Sequence, residues 1–187
     1  MKVIYYTAAS LDGYIADGQH SLAWLFQFGD GDESGFPEFI RDVGTMAMGS
    51  GTYEWLLRNH VFEDPDAPKP WPHEMPTWVF TTRALREVPG ADVRFVRGDV
   101  APVFEAMCAA APGKNVWLAG GGDLVAQFHA RGLLDEIVLT LAPVFLGGGA
   151  PVFTGPLVTP PLEVATVKPH ASGLVEMRMV VRRPDQA

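Results

Sequence analysis

Residues 115–131, NVWLAGGGDLVAQFHAR, constrain this chain more than any other stretch. The apolar run Val116, Trp117, Leu118 and Ala119 reads as a strand, and it enters Gly120-Gly121-Gly122 with nothing in between. An apolar stripe of Leu124, Val125 and Phe128 then marks a helix. Only glycine accepts so sharp a bend and lets its backbone N–H groups come close to another molecule. A helix opening there carries unpaired N–H donors and roughly half a positive charge, which suits a phosphate. A tight strand-to-helix turn with no ligand has the same signature, so both readings stand on this segment alone.

The same grammar recurs along the chain. Residues 2–9 are continuously apolar and rich in Val, Ile and Tyr, which predicts a buried strand. It ends at the turn Ser10-Leu11-Asp12-Gly13, before Tyr14-Ile15-Ala16. A strand ending in such a turn presents its C-terminal edge, where open α/β sheets hold ligands. Trp24, Leu25, Phe26 and Phe28 form a short apolar patch before a loop over 29–35. A helix is expected from Phe36-Pro37, since proline fits a first turn, with Phe39, Ile40 and Val43 inward. Residues 45–48 form a second strand that stops at Gly49-Ser50-Gly51-Thr52, and a helix follows over 53–57 with Ser50 or Thr52 as its cap.

Prolines 65, 68, 70, 72 and 76 make residues 61–76 an extended surface loop. Strands are predicted at 77–81 and 93–96, a helix at 100–111, and a long strand over 133–144 leading to Gly147-Gly148-Gly149. Residues 162–167 and 174–182 alternate as a terminal antiparallel hairpin about a turn at 171–173. Strands alternating with helices imply one α/β domain over 1–187, a single sheet with helices on both faces.

Composition narrows the partners. With 14 Lys plus Arg against 22 Asp plus Glu, the net charge of −8 argues against a nucleic-acid or anionic-membrane surface. A phosphorylated ligand needs only local N–H groups and one or two arginines. Cys108 is the only cysteine, and the histidines are scattered, so neither an internal disulfide nor a metal site is expected. The apolar run at the N-terminus is too short for a signal-peptide core, no segment approaches a membrane span, and the expected location is cytoplasmic.

Taken in order, TAASLDGYIA, MAMGSGTYEW, VFTTRAL, VWLAGGGDLVAQF and DEIVLTLAPVFLGGGAPVF resemble the dihydrofolate reductase-like superfamily. They are most similar to its branch with the reductase domain of bacterial riboflavin-biosynthesis deaminase-reductases, the RibD C-terminal domain family. The resemblance runs from about residue 2 to 182, and LGGGAPVF is its most specific segment. It implies a three-layer dihydrofolate reductase-like fold: a mostly parallel central sheet, helices on both faces and a C-terminal antiparallel hairpin. It also implies a groove for NADPH, with NADH possible, at the C-terminal strand edges, and assembly as a homodimer.

Carried over residue by residue, the resemblance puts Ala8 and Ala9 at the nicotinamide end through backbone groups, with Ser10 and Ile15 lining the same pocket. Gly49 and Thr52 lie under the pyrophosphate, together with Ser50, which stands where the family commonly has arginine. Thr81, Thr82 and Arg83 surround the adenosine 2′-phosphate, and Gly120, Gly121, Gly122 and Leu124 wrap the pyrophosphate from the other side. Asp123 follows the glycines and is expected to point outward, supporting the helix N-terminus.

By the same resemblance, the acidic residues Asp32, Glu33 and Glu38 border the substrate pocket. Asp32 and Glu38 are the candidate proton donors, with plain support of a helix dipole as the alternative. Asp12 is either a turn former or a substrate contact. Trp24 and Tyr53 are the aromatic residues assigned to the pocket wall, against core packing. The implied function is an NADPH-dependent reductase of a small conjugated heterocycle, pterin- or pyrimidine-like. The alternative is a catalytically silent ligand-binding module of the same fold.

Overall fold

The computed structural model describes residues 1–29 and 35–183. Strand β1 (Val3–Ser10) turns Val3 and Tyr5 to one hydrophobic core and Ile4 and Tyr6 to another. A strand apolar at both parities must be covered on both faces, and here it is. The chain continues through β2 (Tyr14–Ala16), α1 (Ala23–Phe26), α2 (Phe36–Phe39), β3 (Val43–Gly49), α3 (Ser50–Leu56), β4 (Thr77–Phe80) and β5 (Val93–Val96). Then follow α4 (Val100–Ala110), β6 (Asn115–Gly120), α5 (Gly122–Ala130), β7 (Glu136–Ala142), β8 (Ala150–Pro151), β9 (Glu163–Pro169) and β10 (Val175–Val180).

Eight strands form one sheet in the order β5-β4-β3-β6-β1-β7-β10-β9. The pairs from β5 to β7 are parallel, and β10 runs antiparallel to both β7 and β9. Helices α4 and α5 cover one face through Val100, Met107, Leu124, Val125 and Phe128. Helices α2 and α3 cover the other through Phe39 and Tyr53. This is the three-layer architecture expected from the sequence, with the C-terminal antiparallel pair in place.

Local departures have local causes. Helix α2 stops at Phe39 and passes through a 3₁₀ turn (Ile40–Asp42), so Val43 enters β3 instead of continuing a helical stripe. Strand β7 is shorter than 133–144 because Leu133 closes the end of α5, its N–H donating to Phe128 O at 3.0 Å. Gly49 is the N-cap of α3, and no side chain caps it. Neither Ser50 nor Thr52 serves: Ser50 is already the first helical residue.

A separate two-stranded ribbon, β2 with β8, straps the first turn of the chain to the loop after β7. Val152 N–H donates to Gly13 O at 2.9 Å, and the Tyr5 hydroxyl donates to Val152 O at 3.0 Å. Two glycines make this fit possible. Gly149 has φ +137°, and a Cβ there would fall inside the Ala16 carbonyl. A Cβ on Gly122 would lie 2.5 Å from Pro151 O.

The proline-bearing loop over 62–76 packs back onto the α2–α3 face. His73 sits edge-on to Trp117, with ring centroids 5.4 Å apart, and to Trp71 at 5.8 Å. Burial, with a smaller contribution from His60, pushes its pKa down from 6.5 to about 4. The unfolded chain therefore holds this proton below pH 6.5 while the folded chain releases it. The stability due to neutral His73 is complete above pH 6.5 and is lost as pH falls towards 4, at no more than ~1.4 kcal/mol per pH unit. His73→Phe is expected to flatten the fall of the urea midpoint across that window relative to wild type. An identical slope in both proteins would refute the assignment.

Candidate functional site

Because β1, β3, β4 and β6 are parallel, their C-terminal ends meet at one edge of the sheet. Strand β1 pairs with β6 over Val3–Tyr5 but with β7 from Ile4 to Ser10. The two sides of β1 thus part company, and beyond Tyr5 a cleft opens on the β6 side. Its volume is about 270 Å³, and Thr7, Ile15, Thr52, Trp55, Ala119 and Gly121 line it with Ala16, His20, Leu22, Gly51 and Ala150.

Two glycine turns flank the cleft. Gly120 has φ +131°, an angle that only glycine adopts freely, and the Gly120–Gly121 peptide is cis. A Cβ at Gly120 would approach Thr52 Oγ1 at 3.5 Å and Ile15 Cδ1 at 3.8 Å. A Cβ at Gly49 would lie 3.8 Å from Gly121 N, so the turns after β3 and β6 face each other closely. Gly121 is the N-cap of α5 and, as at α3, no side chain caps the helix. The first-turn N–H groups of both helices are thus left to water or a ligand. Backbone donors converging without bulky side chains fit an anionic group such as a pyrophosphate.

Beyond α3, at the end of β4, Arg83 Nη1 and Nη2 donate to Glu54 Oε1 and Oε2 at 3.0 and 2.7 Å. Nη2 also donates to Ser50 Oγ at 3.0 Å, and Thr81 Oγ1 accepts from Arg83 N at 3.0 Å. Thr82 is exposed beside them. Of the residues expected around the cofactor, Ile15, Thr52 and Gly121 line the cleft, and Ser50, Thr81 and Arg83 form this adjoining polar corner.

The model of the RibD C-terminal domain matches residues 1–175. The chain belongs to the RibD C-terminal domain family. A Shewanella sp. PV-4 structure, whose name ties it to riboflavin biosynthesis, is 29% identical with a TM-score of 0.78, covering 98% of this chain and 100% of its own. The Thermotoga maritima diaminohydroxyphosphoribosylaminopyrimidine deaminase/5-amino-6-(5-phosphoribosylamino)uracil reductase aligns at TM-score 0.66 and 18% identity, covering 97% of this chain and 56% of its own. Dihydrofolate reductase from Enterococcus faecalis, complexed with NADP(H), shares the fold at TM-score 0.61 and 16% identity, covering 97% of this chain and 96% of its own.

Within this RibD C-terminal domain, several residues expected at the site do other work. Tyr53 is 0% exposed in the core, and its hydroxyl donates to Arg86 O at 2.7 Å, so it cannot wall a pocket. Ser10 is also 0% exposed. Its hydroxyl donates to Asp12 at 2.6 Å and accepts from Tyr14 N at 3.0 Å. Asp12 in turn accepts from Leu146 N at 3.1 Å and Gly147 N at 2.7 Å, tying the β1 turn to the loop after β7. The Ser10 hydroxyl and, less strongly, the Gly147 and Leu146 amides hold its carboxyl below the usual range. Ser10 and Asp12 form a loop clamp, and neither is among the residues lining the cleft.

Glu38 is exposed on α2 and is not among the cleft residues, while Asp32 and Glu33 lie outside the described residues. Trp24 is half-buried on α1 and does not line the cleft either. Leu124 and Ala9 bury their side chains, leaving only backbone groups for a ligand. Gly122 is closed in by β8, so its glycine serves packing. Asp123 points outward as expected, accepting from Gln127 Nε2 at 2.9 Å.

Trp55 takes the aromatic place intended for Tyr53. Residues 51, 52 and 55 share one face of α3, whereas Tyr53 lies about 200° round the helix from Trp55 and meets the core. Thr7, Ala119 and Ala150 carry no sequence signal of their own. His20 is the ionisable side chain among the described residues of the cleft. Its left-handed φ of 59° is held by Asp17, whose Oδ1 accepts from Gln19 N and Ser21 N at 2.9 and 2.8 Å. An imidazole placed there can pass a proton.

Proposed function

We propose that this chain is a reductase that transfers hydride from NADPH or NADH to a small conjugated heterocycle, pterin- or pyrimidine-like. The observation that carries the reading is the cleft between the diverging ends of β1 and β6, flanked by the facing turns at Gly49 and Gly120-Gly121. Backbone groups of Ala8, Ala9, Gly49, Gly120, Gly121, Asp123 and Leu124 would hold the dinucleotide's polar parts, with Ile15 and Thr52 beside them. Ser50, Thr81, Thr82 and Arg83 would hold its adenosine end. The cofactor, when bound, supplies the hydride. The chain's task is to orient the two rings, exclude water with Ile15, Leu22 and Trp55, and offer a proton from His20.

Tryptophan fluorescence tests this directly, because Trp55 lines the cleft. NADPH or NADH is expected to quench it, and Trp55→Phe to remove most of that signal. Absence of quenching at millimolar dinucleotide would sink the proposal. A second copy of the chain is expected to cover the edge strand β9, where Val164 and Val167 are 52% and 56% exposed. Light scattering on the titrated sample reads that mass.

A catalytically silent binding module is the second reading. It draws support from Glu38 lying outside the cleft and from Asp12 being held ionised by its clamp. Dinucleotide that binds but is never oxidised across a panel of pterins, pyrimidines and flavins would favour it.

A further inference from the structure

The guanidinium of Arg83 is engaged along its end-on fork and through the remaining hydrogen of Nη2. Its end-on pair, Nη1 and Nη2, meets the two oxygens of Glu54 at 3.0 and 2.7 Å, and the second Nη2 hydrogen meets Ser50 Oγ at 3.0 Å. Ser50 and Glu54 stand four residues apart on one face of α3, away from the cleft face of Gly51, Thr52 and Trp55. The root of the arginine is pinned as well: its N–H donates to Thr81 Oγ1 at 3.0 Å, and Thr81 N–H donates to Val96 O at 2.8 Å. The pair remains reachable, since the Arg83 and Glu54 side chains are 56% and 30% exposed.

A dianionic phosphate is gripped by a guanidinium with a free fork and a net positive charge. Here the charges of Arg83 and Glu54 cancel, and the carboxylate stands where a phosphate would bind. A sugar hydroxyl, by contrast, can donate to that same carboxylate. We propose that Glu54 sets the choice of dinucleotide: paired with Arg83, it favours an adenosine ribose with a free 2′-hydroxyl and disfavours one carrying a 2′-phosphate. The inference rests on the groove being a dinucleotide site.

The experiment titrates wild type, Glu54→Gln, Glu54→Ala and Glu54→Gln/Arg83→Ala with NADH and NADPH, read by fluorescence and calorimetry. Wild type is expected to bind NADH at least as tightly as NADPH. Glu54→Gln is expected to tighten NADPH about tenfold while NADH moves less than about twofold. Glu54→Ala should act in the same direction, and the double variant should lose the gain, because the freed arginine is its source. A wild type that prefers NADPH tenfold, no gain in either single variant, or a gain that survives loss of Arg83 would each overturn the role of Glu54. If wild type binds neither dinucleotide, the groove reading itself falls. If it binds both and the ratio ignores Glu54, only this inference falls.

Discussion

Gly149→Ala is expected to lower the melting temperature by roughly 10 °C. Two causes act together. The residue holds φ +137°, which side-chain-bearing residues avoid, and its Cβ would press into Ala16 O and lie 2.8 Å from Asp17 C. Backbone cannot move aside as a flexible side chain can, so the β2–β8 ribbon must shift. Strain and clash of this kind cost about 3 kcal/mol. Ile15 and Ala16 on β2 and Ala150 on β8 all line the cleft, so dinucleotide affinity should fall with stability. Thermal unfolding and fluorescence titration of the same sample read both. A variant that melts like wild type would mean that the strap is not held as described.

Gly51→Leu is expected to do the opposite: keep or raise stability while abolishing binding. Nothing lies within 4 Å of a Cβ at Gly51, which belongs to α3 and lines the cleft. Leucine in place of glycine favours the helix by up to about 0.8 kcal/mol, less in a first turn. Its side chain would take up space in the cleft that Gly51 lines. A loss of ~100-fold in NADPH and NADH affinity, about 2.7 kcal/mol, is expected with an unchanged or higher melting temperature. Binding at wild-type strength would place the dinucleotide elsewhere. The contrast with Gly149→Ala separates a glycine that serves the fold from one that keeps a site clear.

The glycine turns were legible in the sequence because their causes are local. A strand that stops at glycine and restarts as a helix announces its bend within a few residues, and Gly49 and Gly120-Gly121 flank the cleft where that pattern placed them. Both-faced apolar strands likewise announced a covered sheet, as Val3 and Tyr5 against Ile4 and Tyr6 show.

Other features depended on partners far along the chain. Tyr53 and Trp55 are two aromatics on one short helix, and only the docking of α3 on the sheet sends Tyr53 to the core and Trp55 to the cleft. Asp12 reads in the sequence first as a turn former, and its bond to Gly147, 135 residues away, makes it part of a long-range clamp as well. Glu54 carries no signal of its own in the sequence, because its meaning comes from Arg83, 29 residues on.

By itself, then, the sequence determined the alternation of strands and helices, the family, and the glycine bends at the sheet edge, since backbone sterics and hydrophobic period act over a few residues. Which side chains those bends expose, which carboxylates are held in clamps, and which arginine edge is filled were decided by the tertiary structure alone. Helix phase, strand divergence and long-range hydrogen bonds exist only once distant segments are packed together.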